Sequence, residues 1–371
     1  MTADLDRPSL PLRAELVGLE PYGAPQLDVP HLLNVNENPY APSEAVVADI
    51  AHDVALAAAG LNRYPDRDFA ALRADLAGYL RVESGAVLAP EQIWAANGSN
   101  EIMLHLLQAF GGPGRTALSF APTYSMYPEY ARDTSTRWVV GRRAEDFAVD
   151  PQAAAALIAA EAPSVVLLAS PNNPTGTALP AETLEVILDA AAGVPGGCVV
   201  VVDEAYGEFR REGTRSALHL LPERPHLVVS RTMSKAFGLA GARVGYLAAS
   251  PHLIDALRVV RLPYHLSAVT QAVARAALRH APALMAQVGS LRAERDALVE
   301  WLRGHGLRVA ESDANFVLFG VFDDRHAIWQ GLLDRGVLIR ETGPEGWLRV
   351  SIGTPEDMTA FKDALVEVAG L

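Results

Sequence analysis

Three short apolar runs, each closed by polar residues, constrain this chain more than any other feature. "SVVLLAS" spans residues 164–170, "GCVVVVDEAY" spans 197–206 and "HLVVSRT" spans 226–232. Runs of this length, rich in β-branched residues and bounded by turn formers, suit strands buried on both faces of a parallel sheet. Between the first two lies "PAETLEVILDAAA", whose apolar residues recur at helical spacing. Strand, helix and strand in alternation place the chain in the α/β class, with a mostly parallel, doubly wound sheet.

At 371 residues the chain is too long for one ordinary core. Residues 1–35 are proline-rich and weakly periodic, and read as an N-terminal arm. Residues 36–266 carry the alternating pattern, including the amphipathic stretch "EIMLHLLQAF" at 101–110. From 267 to 371 the texture changes. A helical stretch over 268–304 leads to "NFVLFG" and "WLRVSIGT", which predicts a smaller α+β domain with the arm packed on it.

The balance of charge, −13, argues against a nucleic-acid surface, because phosphate backbones need a basic face. Cys198 is the only cysteine, so no disulfide forms within the chain, which fits a reducing cytoplasm. The start "MTADLDRPSL" lacks a basic, then apolar, leader pattern, and no apolar run reaches the ~18 residues of a membrane span. The histidines show no metal spacing.

In a doubly wound sheet, ligands sit outside the carboxyl ends of the strands. Three such ends here carry "SPNNPTG" (170–176), "DEAY" (203–206) and "SRTMSK" (230–235). Singly, each has a plain reading: a turn, a helix cap, a solvated lysine. Together they meet the demands of pyridoxal 5′-phosphate (PLP): a lysine amine for a Schiff base, an acid beside the pyridine nitrogen and a phosphate cradle. The chain has two lysines, Lys235 and Lys362, and otherwise uses arginine, whose guanidinium stays protonated and is a poor nucleophile. Asp203 can pair with a protonated pyridine nitrogen. Asn173 and Tyr206 can donate to the ring's phenolate oxygen. Thr232, Ser234 and Arg243 can surround the phosphate. Gly98, Ser99 and Asn100 in "ANGSNE" open a helix, whose free N–H groups favour an anion. No Gly-Lys-Ser/Thr follows, so this is not a nucleotide P-loop.

"SPNNPTG", "VDEAYGEF" and "RTMSKAFGLAGARVGY", in this order, resemble the fold-type I PLP-dependent aminotransferases. "LNVNENPYAPS", "RYPD", "PTYSMY", "DANFVLF" and "LRVSIGT" resemble more closely the histidinol-phosphate aminotransferase branch, from about residue 22 to 354. Ala41 departs from that pattern at a turn position usually held by glycine. The resemblance implies that Lys235 holds PLP and shuttles a proton, that Asp203 binds the ring nitrogen, and that Asn173 and Tyr206 face the phenolate. It further implies that Tyr124 stacks on the ring, and that Gly98, Ser99, Asn100, Thr232, Ser234 and Arg243 hold the phosphate. Tyr64 would reach the cofactor phosphate of a second subunit, making the active unit a homodimer. Arg349 would grip the substrate's anionic end, helped by Arg340, Tyr22 and Asn38.

The implied reaction is a two-step transfer of an amino group from glutamate to imidazole-acetol phosphate, in cytoplasmic histidine biosynthesis. An aromatic amino-acid aminotransferase shares every PLP ligand, and an amino-acid-phosphate decarboxylase of the same fold keeps the cofactor. A PLP-sensing regulator is disfavoured, since no helix-turn-helix segment or basic patch precedes the fold.

Overall fold

The computed structural model describes residues 11–21 and 23–371. The three apolar runs form adjacent strands, Val165–Ala169, Val199–Asp203 and Leu227–Thr232, buried at every position. They are the centre of a seven-stranded sheet. Its order is Ile93–Ala96, Gly245–Ala249, Leu227–Thr232, Val199–Asp203, Val165–Ala169, Thr116–Ala121 and Arg137–Arg142. Gly245–Ala249 runs antiparallel to both of its neighbours, and the other pairs are parallel. This is the expected α/β sheet. Its register sets which strand ends lie side by side. Asp203 lies opposite Ala169 on one side and Ser230 on the other, so the polar strings that end these strands emerge along one line.

Helices cover the sheet because their apolar residues fall on one side. Ser99–Phe110 buries Ile102, Met103, Leu106 and Leu107 and packs against Pro251–Val260 and the strand Gly245–Ala249. The expected single helical stretch over 268–304 is instead two helices, Ala268–Arg279 and Ala281–Gly304. The break falls at His280 because Pro282 has no N–H to donate and fits only a first turn. Ala268–Arg279 packs against the helix Glu44–Ala58.

A second, antiparallel sheet has the order Arg340–Glu341, Trp347–Ser351, Phe316–Gly320 and Arg308–Val309. The N-terminal segment is tied to the same part of the chain. Its strand His31–Leu32 pairs in parallel with Val337–Leu338, and the Ser351 amide donates to the Leu33 carbonyl at 2.9 Å.

Beside the central strand ends lies a buried ion cluster. The Arg231 guanidinium meets Glu204 at 2.7 Å, Glu208 at 3.0 Å and Glu83 at 3.3 Å. Arg210 bridges Glu83 at 3.1 Å and Glu204 at 3.3 Å. Burial alone would push Glu204 up, but Arg231 and Arg210 overcome it and hold its carboxyl below the usual value. Removing Arg231 leaves three buried carboxylates short of a cation. Arg231→Leu should therefore lower stability by about 3–5 kcal/mol in urea unfolding followed by circular dichroism. A loss below about 1 kcal/mol, the range of ordinary surface changes, contradicts that assignment.

Candidate active site

The carboxyl ends of the central strands open into a cavity of about 830 Å³, a common size for small-molecule sites. Its wall includes Ser99, Asn100, Tyr124, Asn173, Asp203, Tyr206, Thr232, Ser234, Lys235, Arg243, Arg340 and Arg349. The aligned strand ends explain how motifs some 30 residues apart converge. Gly98 lies just behind this wall, and a Cβ there would sit 2.5 Å from Arg243 Nη2. Asn38 and Tyr64 are not brought to the cavity. The Asn38 amide donates to the Ala236 carbonyl at 3.3 Å, and its oxygen accepts from the Tyr40 amide at 3.0 Å. Tyr64 is 79 % exposed and stacks on Tyr264 with ring centroids 4.4 Å apart. Tyr22 lies outside the described residues.

Lys235 is half-buried, and its Nζ donates to the Val35 carbonyl at 2.9 Å. Burial, and then the Arg349 charge, pushes its amine down to about 8; Glu37 pulls it back up, and Arg243 adds a smaller push down. Asp203 is buried at the floor. Burial lifts its carboxyl to about 6, although the Tyr127 hydroxyl, donating to Oδ2 at 3.1 Å, draws it down. Asp203 Oδ1 has no hydrogen-bond partner among the described residues.

Tyr206 lines the same cavity. Its hydroxyl oxygen accepts from Asn36 Nδ2 at 2.9 Å and from Asn173 Nδ2 at 3.4 Å. The Asn173 oxygen in turn accepts from Arg349 Nη1 at 2.6 Å, and Arg349 Nη2 donates to the Asn34 carbonyl at 2.7 Å. Arg340 and Arg349 face each other across the strand ladder. Two like charges so placed repel, and an anion between them relieves the repulsion.

At the other end, the helix Ser99–Phe110 aims its first N–H groups at the cavity. Gly245 lets this turn approach, since a Cβ there would collide with the Ser99 amide and the Gly98 carbonyl carbon. Arg243 Nη1 lies 3.5 Å from the Ser234 hydroxyl, and the Thr232 hydroxyl donates to Ser234 Oγ at 3.0 Å. A cation, two hydroxyls and a helix start are the chemistry of a phosphate cradle. With the unpartnered Asp203 oxygen and the depressed Lys235 amine, the residues fit PLP.

Reading the sequence missed Tyr127, Asn36 and the Val35 carbonyl. "PTYSMY" drew attention to Tyr124, but nothing local marks Tyr127 as a partner of Asp203.

Comparisons with known proteins place these features in a wider group. The family model described as aminotransferase class I and II matches residues 30–365. The histidinol-phosphate aminotransferase of Thermobifida fusca is 61% identical over 97% of this chain and 96% of its own length. Histidinol-phosphate aminotransferase 3 of Burkholderia lata is 60% identical, covering 98% and 96%. The crystal structure of histidinol-phosphate aminotransferase from Sinorhizobium meliloti in complex with pyridoxal-5′-phosphate superposes with a TM-score of 0.79 at 25% identity, over 92% of this chain and 91% of that one.

Lys235 is open to a direct test, because the chain has one other lysine to serve as an internal control. In the ligand-free protein, reductive methylation at Lys235, followed by peptide mass spectrometry, should rise with a midpoint near pH 8. The uncharged amine reacts, so a lowered pKa moves the whole curve to lower pH. A midpoint above about 10, the ordinary lysine range, contradicts the account.

Proposed function

The chain belongs to the class I and II aminotransferase family, and we propose that it is a histidinol-phosphate aminotransferase using PLP. The observation that carries the reading is the cavity in which a depressed lysine, a buried aspartate with one oxygen unpartnered among the described residues, and two opposed arginines meet. Identities of 61% and 60% over nearly the whole chain support it.

PLP, when bound, supplies a carbon that a lysine amine can attack and a ring that accepts electrons from the substrate's Cα. Lys235 would hold it. Asp203 Oδ1 would accept from the protonated ring nitrogen and keep the ring cationic. Tyr124 would stack on the ring, and Asn173 and Tyr206 would face its phenolate oxygen. Ser99, Asn100, Thr232, Ser234 and Arg243 would surround the phosphate, with Gly98 letting Arg243 close on the turn. Lys235 Nζ, uncharged above about pH 8, would take the proton from the substrate's Cα and return it on the product side. Arg349, with Arg340, would hold the substrate's anionic end, because a guanidinium fork suits carboxylate and phosphate alike. Glutamate would give up its amino group and leave as 2-oxoglutarate. Imidazole-acetol phosphate would take that group and leave as L-histidinol phosphate.

The active unit in this proposal is a homodimer, with Tyr64 reaching the second subunit's cofactor phosphate. In its support, Tyr64 and Tyr264 stack in the open, and Leu61 and Leu262 in the same loops are also exposed. Such an apolar patch is costly to leave in water. Cytoplasmic residence belongs to the same proposal, and rests on the biosynthetic role.

The test is the substrate profile of the PLP-loaded protein. The proposal expects kcat/KM for L-histidinol phosphate to exceed that for L-phenylalanine by tenfold or more. The reverse order would make the protein an aromatic amino-acid aminotransferase, and release of carbon dioxide would make it a decarboxylase.

A further inference from the structure

Tyr127 opens the short helix Tyr127–Asp133 and is fully buried. It does not line the cavity, whereas Asp203 does. The Tyr127 hydroxyl donates to Asp203 Oδ2 at 3.1 Å, while Oδ1 is buried without a partner among the described residues. The two oxygens of one carboxylate are therefore treated differently. A carboxylate free to turn about its Cβ–Cγ bond could offer either oxygen, or neither, to a group in the cavity. A fixed donor on one of them removes that freedom.

We propose that Tyr127 is a positioning residue for Asp203: by donating to Oδ2 it fixes the carboxylate's rotation and reserves Oδ1 for the protonated ring nitrogen of the cofactor. The inference rests on the PLP reading above. It concerns how the aspartate is held ready.

The surroundings of Asp203 set the direction of the effect. Burial pushes its carboxyl up most strongly. The Tyr127 hydroxyl and the Ala205 amide draw it down, and the Glu204 charge pushes it up again. Glu204 is itself paired with Arg231 and Arg210. No cation faces Asp203 directly among the groups that shift it. Tyr127 is the first of the groups that favour the ionised form. Its own hydroxyl is held well above 10, by burial and then by the Asp203 charge, so it remains a donor around neutrality. Without it, the Asp203 pKa rises from about 6, and the neutral carboxyl persists to higher pH. A neutral carboxyl cannot pair with a ring cation.

Tyr127→Phe removes the hydroxyl and keeps the ring, including its edge-to-face contact with Tyr124 at 5.6 Å. Binding of PLP to the cofactor-free protein, followed by tryptophan fluorescence from pH 5 to 9, reads the effect without turnover. It would be measured for the unaltered protein, Tyr127→Phe, Asp203→Asn and the double variant. The expected result is a roughly tenfold weaker affinity for Tyr127→Phe near pH 6.5, as for a lost hydrogen bond to a charged group. The acid limb of the binding curve should move up by about one pH unit. In the Asp203→Asn background, Tyr127→Phe should change affinity less than about twofold, because the charge it serves is gone. An affinity loss that is equal at every pH, or that survives undiminished in the Asp203→Asn background, would overturn the proposal and leave Tyr127 as packing alone. No binding of PLP by the unaltered protein would instead overturn the cofactor reading, and this inference with it.

Discussion

Asp203 is a buried carboxylate with no cation against it among the described residues, and the rest of the site is arranged around that imbalance. Burying an unpaired charge is costly, and proteins usually avoid it by pairing or by shifting the pKa. Here the Asp203 carboxyl is shifted up to about 6, and it is the neighbouring charge that is paired. Glu204, the next residue, is locked to Arg231 and Arg210 on the other side of the strand. Lys235 shows the converse imbalance, a cationic group drawn down to about 8 by burial and by two nearby arginines. One strand end thus keeps an anion waiting for a cation, and the next keeps an amine close to neutrality. A cofactor with a basic ring nitrogen and a reactive carbonyl answers both demands at once.

What places these groups is register. The parallel ladder sets Ala169, Asp203 and Ser230 side by side, so a residue just past each strand reaches the same cavity. The antiparallel strand Gly245–Ala249 then returns beside Leu227–Thr232 and carries Arg243 to the start of the helix Ser99–Phe110. The second sheet contributes Arg340 and Arg349 from facing positions. Arg349 also grips the Asn34 carbonyl and Asn173, so it ties the N-terminal segment to the central sheet.

Much of this was legible in the chain because the informative residues end apolar runs. The strands Val165–Ala169, Val199–Asp203 and Leu227–Thr232 announced themselves by composition, and their polar ends carried the chemistry. Contacts between distant segments were not legible. Tyr127 is 76 residues from Asp203, Asn36 is 170 from Tyr206, and Val35 is 200 from Lys235. Such pairings depend on how whole layers pack, and the Val35 contact is made by a backbone carbonyl that any residue would supply. Nothing local in "SRTMSK" marks Arg231 as the centre of a buried ion cluster. The break at His280 was written in Pro282, but the strong apolar spacing on either side masked it.

Lys235 would be the residue to which the cofactor is bound. Borohydride reduction of the PLP-loaded protein makes that bond permanent, and peptide mass spectrometry then locates it. This assignment predicts one cofactor per chain, on the peptide containing Lys235 and not on the one containing Lys362. Label on Lys362, or a protein that releases all its cofactor after reduction, would contradict it.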